Sequence, residues 1–394
     1  MARVPRFMDP SPIPATAKLG DLADAAGLRR IHVLAWRDLA DVEAGGSEIH
    51  AAEITSRWAA AGIDVVMRTS HAQGHLSEED RDGYRVIRRA GRHMVFLDAP
   101  LQELLRRAGR RDGLVEVWNG VPFFSPVWAR GPRIAFIHHV HADMWRQSVS
   151  PGLARLGEAI ELRIAPRMYR RTQVLTPSPS SREEIIRRLG LRPDRVEAVP
   201  NGVHPRFTPG GTRAEHPVIL FVGRHVPHKR IDHLIRAAAE VRADVPDLAL
   251  TIVGDGYARP VLERLVDDLD AGAWVNFPGR VDDDDLVDHY RRAWVVASAS
   301  EAEGWGLTLA EAAACGTATV ATRIPGHVDV VEDGVSGLLA DPSDLAASLR
   351  RVLTRPDLRF GLGAGGIRRA ASLSWDRAAH GVLAALAAEA ARRG

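Results

Sequence analysis

Short apolar runs alternate with helix-forming segments along this chain, and the alternation occurs twice, on either side of a Pro/Gly-rich stretch at 205–217. A run such as Ile31-His32-Val33-Leu34-Ala35 is too short for a buried helix and reads as a strand covered on both faces. Strands separated by helices join in parallel through crossovers that lay the helices on the sheet. In the first half the pattern predicts further strands at 65–67, 115–118, 134–137 and 173–175. Helices are expected at 19–26, 47–61 and 163–171, and one more is opened by the capping-box signature Ser180-Ser181-Arg182-Glu183. In the second half strands are expected at 218–222, 249–253, 274–277, 294–297 and 318–321, with helices at 231–241, 258–268 and 308–314. An amphipathic, Ala-rich helix at 375–392 ends the chain. At about 150 residues per domain, the pattern predicts an α/β chain of two doubly wound parallel-sheet domains in tandem.

Composition narrows the function. Lys+Arg is 52 against Asp+Glu 50, so the basic excess of a nucleic-acid binder is missing. The single Cys315 leaves no disulfide framework and no Cys-based metal knuckle. No apolar stretch reaches the length of a transmembrane helix, and Pro5, Asp9, Pro10, Pro12 and Pro14 interrupt any signal-peptide core. The expected setting is therefore cytoplasmic. Nearly every cation is Arg; the only lysines are Lys18 and Lys229, which marks Lys229 as a place where a compact point charge is needed.

Ligands of such sheets bind beyond the carboxyl ends of the strands. After the first strand of the second half comes Gly223-Arg224-His225-Val226-Pro227-His228-Lys229, two permanent cations on one glycine-led loop. After the fourth comes Glu301-Ala302-Glu303-Gly304-Trp305-Gly306-Leu307-Thr308, leading into a helix whose open N–H groups can meet an anion. A bidentate Arg, a point-charge Lys and a helix N-terminus suit a diphosphate. Glu303 and Glu311 flank that anion site, so their partners should be hydroxyl groups, as on a ribose and a second sugar.

The first half supplies Gly45-Gly46-Ser47 before a helix, and His138-His139-Val140-His141-Ala142-Asp143 after a strand. The histidines invite a metal reading, but the spacing lacks a zinc pattern. Strand-end His and Asp suit sugar hydroxyls or proton handling better; a His-rich surface loop is the alternative. Gly361-Leu362-Gly363-Ala364-Gly365-Gly366 fits the dinucleotide fingerprint G-x-G-x-x-G, yet it follows no strand. The match is set aside.

Taken together these stretches resemble the retaining glycosyltransferases of family 4, whose two Rossmann-like domains face a cleft in the GT-B fold. Glu303-Gly304-Trp305-Gly306-Leu307 with Glu311 is similar to that family's E-x7-E motif, with Trp305 in place of the usual Phe. Gly223-Arg224 with Lys229 resembles its diphosphate clamp, Pro200-Asn201-Gly202-Val203 with Phe207-Thr208-Pro209 its interdomain signature, and Gly45-Gly46-Ser47-Glu48 its first-domain glycine loop. The resemblance implies an arm at 1–29, an acceptor-side domain at 30–208, a donor-side domain at 209–373 and a helix at 374–394 returning to the first domain.

It further implies that Arg224 and Lys229 hold the diphosphate of a nucleotide sugar, with Gly46, Gly306, Leu307 and Thr308. Glu311 would bind the ribose, Glu303 the transferred sugar, and His138 would face the reacting carbon. Arg280 and Val281 fall at the nucleobase, and Ser47, Asn119, His139 and His141 on the sugar or acceptor side. The implied reaction is hexosyl transfer from a UDP- or GDP-sugar with retention, using neither cofactor nor metal. The acceptor is a lipid-linked glycan, a glycolipid or a small metabolite. A synthase acting on a soluble phosphorylated acceptor and a non-catalytic nucleotide-binding partner protein are the alternatives. Nine arginines at 81–111, with Arg163, Arg167, Arg170 and Arg171, suggest peripheral contact with an anionic membrane.

Overall fold

The computed structural model describes residues 19–148 and 150–393. The expected arm at 1–29 is described only from residue 19, where a short helix, α1 (Leu19–Ala25), leads into the first sheet. That sheet comprises β1 (Arg30–Leu34), β2 (Asp64–Thr69), β3 (Glu78–Arg81), β4 (Tyr84–Arg88), β5 (Gly113–Trp118), β6 (Arg133–Ile137), β7 (Gln173–Thr176) and β8 (Val196–Ala198). Its order is β3-β4-β2-β1-β5-β6-β7-β8, parallel except for the β3–β4 hairpin. The connecting helices are α2 (Gly46–Ala60), α3 (Val95–Leu104), α4 (Ser125–Trp128), α5 (Trp145–Ser148), α6 (Pro151–Ala159), α7 (Ala165–Tyr169) and α8 (Pro179–Leu189).

The second sheet has β9 (Val218–Val222), β10 (Ala249–Val253), β11 (Val275–Gly279), β12 (Val295–Ser298), β13 (Ala318–Thr322) and β14 (Leu338–Ala340), in the order β11-β10-β9-β12-β13-β14. Its helices are α9 (Ile231–Arg242), α10 (Arg259–Asp268), α11 (Asp283–Arg292), α12 (Leu307–Ala314), α13 (His327–Val330), α14 (Leu345–Thr354) and α15 (Pro356–Ala370). The last helix, α16 (Trp375–Ala391), buries Trp375, Val382, Leu383 and Leu386 in the core of the first sheet, beside Trp58 and Ile31. The Trp58 indole donates to the Ala379 carbonyl at 3.0 Å, tying α2 to this returning helix.

Each sheet reverses its winding once, between β1 and β5 in the first and between β9 and β12 in the second. At such a reversal the loops leaving adjacent strands diverge and open a crevice. The loops after β1, β9 and β12 carry the glycine, cation and carboxylate motifs, so topology alone brings the three to one cleft.

Four strands escaped the sequence reading. β3 and β4 are dense in charge, which hides them, and the charges are matched: Arg88 is buried and bonds Asp38 and Glu79 at 2.6 and 2.7 Å. β8 and β14 have three residues each, too few for a pattern. The capping box at 180–183 is corrected. The helix starts at Pro179, and Ser178 is the cap, accepting from the Ser181 N–H at 3.1 Å. Ser180 instead bonds Asp329 across the cleft. The Gly361–Gly366 run lies inside α15, where a Cβ on Gly365 would sit 1.8 Å from the Val335 carbonyl oxygen. Those glycines serve helix packing. No described helix is long and apolar enough to cross a membrane.

Candidate active site

A cavity of about 390 Å³ lies between the two domains. Its wall includes Gly46, Ser47, His138 and His139 from the first domain. The second contributes Arg224, Lys229, Arg280, Val281, Glu303, Gly306, Leu307, Thr308 and Glu311. Thirteen of the fifteen residues singled out from sequence therefore share one cavity. The other two do not line it: Asn119 stands behind, donating to Ser47 Oγ at 3.3 Å, and His141 opens on a neighbouring cavity.

The loop that carries Arg224 and Lys229 is built from the turn after β9. Gly223 donates its backbone N–H to the Val253 carbonyl at the end of β10, and a one-turn helix at 227–229 presents Lys229. Lys229 bonds the Glu303 carboxylate. An ammonium has three donors, so this pairing leaves two for phosphate oxygens. Arg224 reaches across the cleft to the glycine loop: a Cβ on Gly45 would lie 3.2 Å from its Nε. The crowded glycine is thus Gly45, whereas a Cβ on Gly46 would meet nothing within 4 Å. Glu48 holds this loop, its Oε2 accepting from the Gly45 N–H at 2.8 Å and its Oε1 from Arg37 at 3.3 Å.

The two carboxylates have opposite electrostatics. Burial alone would push Glu303 up, but Lys229, then His327 and His228, outweigh it and hold the carboxyl at about 2. Both Lys229 and Ser300 bond Glu303 at Oε1, Ser300 at 2.9 Å, so Oε2 is the oxygen left to accept from a sugar hydroxyl. Glu311 is pushed by burial to about 7, against the lowering effect of Tyr290 and Arg206. The Tyr290 hydroxyl, fully buried on α11, donates to Glu311 Oε2 at 2.7 Å and orients the carboxyl.

His138 caps β6 and is 6 % exposed, with neither ring nitrogen hydrogen-bonded among the described residues. Burial, then His50 and His141, holds it well below the usual imidazole value, so it is neutral at pH 7. His50 packs edge-on against it with ring centroids 5.0 Å apart, and His50 Nδ1 bonds Asn201 at 2.8 Å. The first domain comes close to the second here: a Cβ on Gly304 would lie 2.3 Å from the His138 carbonyl oxygen. Ser181 Oγ donates to the Gly304 carbonyl at 3.1 Å.

Sequence reading missed Tyr290, His50, Ser300 and His228. Nothing in local spacing marks Tyr290 or His50, whose partners lie far along the chain, while Ser300 sits three residues from its partner Glu303 in the same loop. His228 was visible only as a neighbour of Lys229. Burial holds it at about 4, and it lines both the main cavity and a second of about 290 Å³. That second cavity, bounded by His139, His141, Arg188 and Glu303, adjoins the first at His139, His228 and Glu303.

Comparison with known proteins agrees with this geometry. The family profile "Glycosyltransferase Family 4" matches residues 44–207 and "Glycosyl transferases group 1" matches residues 207–369. A D-inositol 3-phosphate glycosyltransferase of Frankia alni is 30 % identical over 86 % of this chain and 94 % of its own length. Among solved structures, sucrose-phosphate synthase from Thermosynechococcus elongatus aligns with a TM-score of 0.76 at 22 % identity, over 90 % of this chain and 97 % of the other. The Anabaena HepE complex with UDP and glucose gives 0.72 at 17 %, over 91 % of this chain and all of the other. With two reversing sheets, the two family profiles end to end and a glycosyltransferase relative along nearly its whole length, the chain belongs to the family 4, group 1 glycosyltransferases of GT-B fold.

Proposed function

We propose that the protein transfers a hexosyl group from a UDP- or GDP-sugar to an acceptor hydroxyl with retention at the anomeric carbon and without a metal. The observation that carries this reading is the convergence of Arg224, Lys229, Glu303 and Glu311 on one interdomain cavity. As the bond between the anomeric carbon and the β-phosphate oxygen breaks, negative charge grows on the diphosphate. Arg224, Lys229 and the N-terminus of α12 oppose that charge with groups fixed before the reaction begins. In this reading Glu311 accepts from the ribose diol and Glu303 Oε2 from a sugar hydroxyl. Neutral His138 packs against the sugar and keeps water from the oxocarbenium-like centre. The acceptor enters from the second cavity and attacks on the face the diphosphate leaves.

A second reading, a synthase using a soluble phosphorylated acceptor, is favoured by the named D-inositol 3-phosphate relatives and by the presence of Arg188 in the second cavity. Steady-state kinetics with inositol phosphate or a sugar phosphate, against lipid acceptors, separates the two.

The primary test is thermal unfolding with UDP, GDP, ADP and NAD. One diphosphate at about one hundred times its dissociation constant should add roughly 2.7 kcal/mol. That gain should vanish in Lys229→Ala. Stabilisation by NAD alone would overturn the transferase reading. Product NMR then checks the anomeric configuration.

A further inference from the structure

Seven of the large apolar side chains exposed among the described residues stand on neighbouring helices of the first domain. Leu97, Leu101 and Leu104 project from α3 with exposures of 68, 52 and 58 %. Leu153, Leu156 and Met168 project from α6 and α7, and Val127 of α4 stands between the two groups. The helices are neighbours, α3 packing beside α4 and α4 beside α7. Their inward residues fill the cores on that side of the sheet, among them Val95, Ala99, Ala165 and Tyr169. The outward leucines therefore do not complete a core; they are a surface.

Charge marks the same face. Of the nine arginines at 81–111, Arg81, Arg88, Arg89, Arg92 and Arg111 are spent on Asp38, Glu79, Glu78, Asp41 and Glu103. Arg106, Arg107 and Arg110, just beyond α3, are exposed and form no ion pair among the described residues. The same holds for Arg163, Arg167 and Arg170 beside α7. The acids nearby are engaged: Asp98 by Gln102, Glu158 by Arg146, and buried Glu161 by the backbone N–H groups of His141 and Ala142.

We infer that this face docks on an anionic phospholipid bilayer. Single leucines on helix ridges enter the acyl boundary, while arginines beside them meet lipid phosphates. A second copy of this chain is a poorer fit, because it would press two unneutralised positive faces together. The segment that lines the second cavity, His139 to His141, runs directly through α5 into α6, so a docked face brings the acceptor side of the cleft to the membrane. The docking does not depend on the transferase reading.

Co-sedimentation of the full chain with vesicles tests it. Vesicles of phosphatidylcholine with about one third phosphatidylglycerol should bind roughly tenfold or more tightly than pure phosphatidylcholine, and high salt should weaken the binding. The double variant Leu101→Ser/Leu156→Ser and the double variant Arg106→Glu/Arg107→Glu should each lose about tenfold or more. Both should keep the wild-type thermal shift with the cognate diphosphate, which shows that they fold. Equal binding to neutral vesicles, or anionic binding unchanged in both variants, overturns the inference. So does a concentration-dependent dimer, seen by sedimentation velocity without vesicles and abolished by the same changes, since it would assign the face to self-association.

Discussion

Glu303 and Glu311 are eight residues apart, the first half-buried and the second buried, yet one is held at about 2 and the other pushed to about 7. The difference lies in their neighbours: Lys229 faces Glu303, while Glu311 has a neutral tyrosine. Because the folded value of Glu311 lies above its unfolded 4.5, the stability it allows is full below that value. It is lost as the pH rises through about 7. Glu311→Gln should therefore match wild type in urea midpoint near pH 4.5 and exceed it at pH 8 by up to about 3 kcal/mol. The same variant should bind the cognate diphosphate more weakly at pH 8, because the ribose diol loses an ionised acceptor. Isothermal titration across that range checks both halves, and a gain in binding at pH 8 would contradict the ribose role. The two glutamates were legible from their spacing and from the carboxylate–phosphate conflict. Their opposite titration was not, since it depends on the burial of Glu311 and on Lys229 facing Glu303, which only the fold supplies.

At the scale of elements, strands and helices were readable wherever one pattern ruled. β1, β5, β6, β9, β10 and β13 are short apolar runs buried on both faces, and each was found. The β3–β4 hairpin was lost because charges such as Arg88, paired with Asp38 and Glu79, interrupt the buried apolar residues Tyr84, Val86 and Ile87. The glycine run of α15 shows the converse, a motif with a known meaning in the wrong setting. Gly365 faces the Val335 carbonyl, and Gly366 lies against Ala313 of α12, the helix that carries Glu311. Alanine is the better helix former by about 1 kcal/mol. Gly365→Ala should nevertheless destabilise the protein by roughly 1–3 kcal/mol, because backbone must move to admit the methyl group. Urea unfolding measures the balance; a stabilised variant would mean that propensity outweighs packing here.

For the whole molecule, the repeated alternation forecast two domains, but no sequence signal says how near they come. The structure gives that distance through Gly304, whose missing side chain admits the His138 carbonyl, and through Gly45, which makes room for Arg224. Both contacts join the two domains across the cleft, and in each a glycine with no side-chain chemistry of its own makes the room. A side chain at 304 would hold the domains apart without touching Lys229 or Glu311, the second-domain groups proposed to grip the nucleotide. Misplacement of reacting groups by about 1 Å can cost about a hundredfold in rate. Gly304→Val should therefore keep most of the thermal shift with the cognate diphosphate while lowering turnover by roughly a hundredfold or more. Loss of both in proportion would place Gly304 in the nucleotide site itself. Retention of both would show that the approach of His138 to the second domain is not needed for transfer. The split between binding and turnover is what an active site shared by two domains requires, because most of the groups proposed to grip the nucleotide lie on the second domain and only the apposition of the two completes the reacting centre.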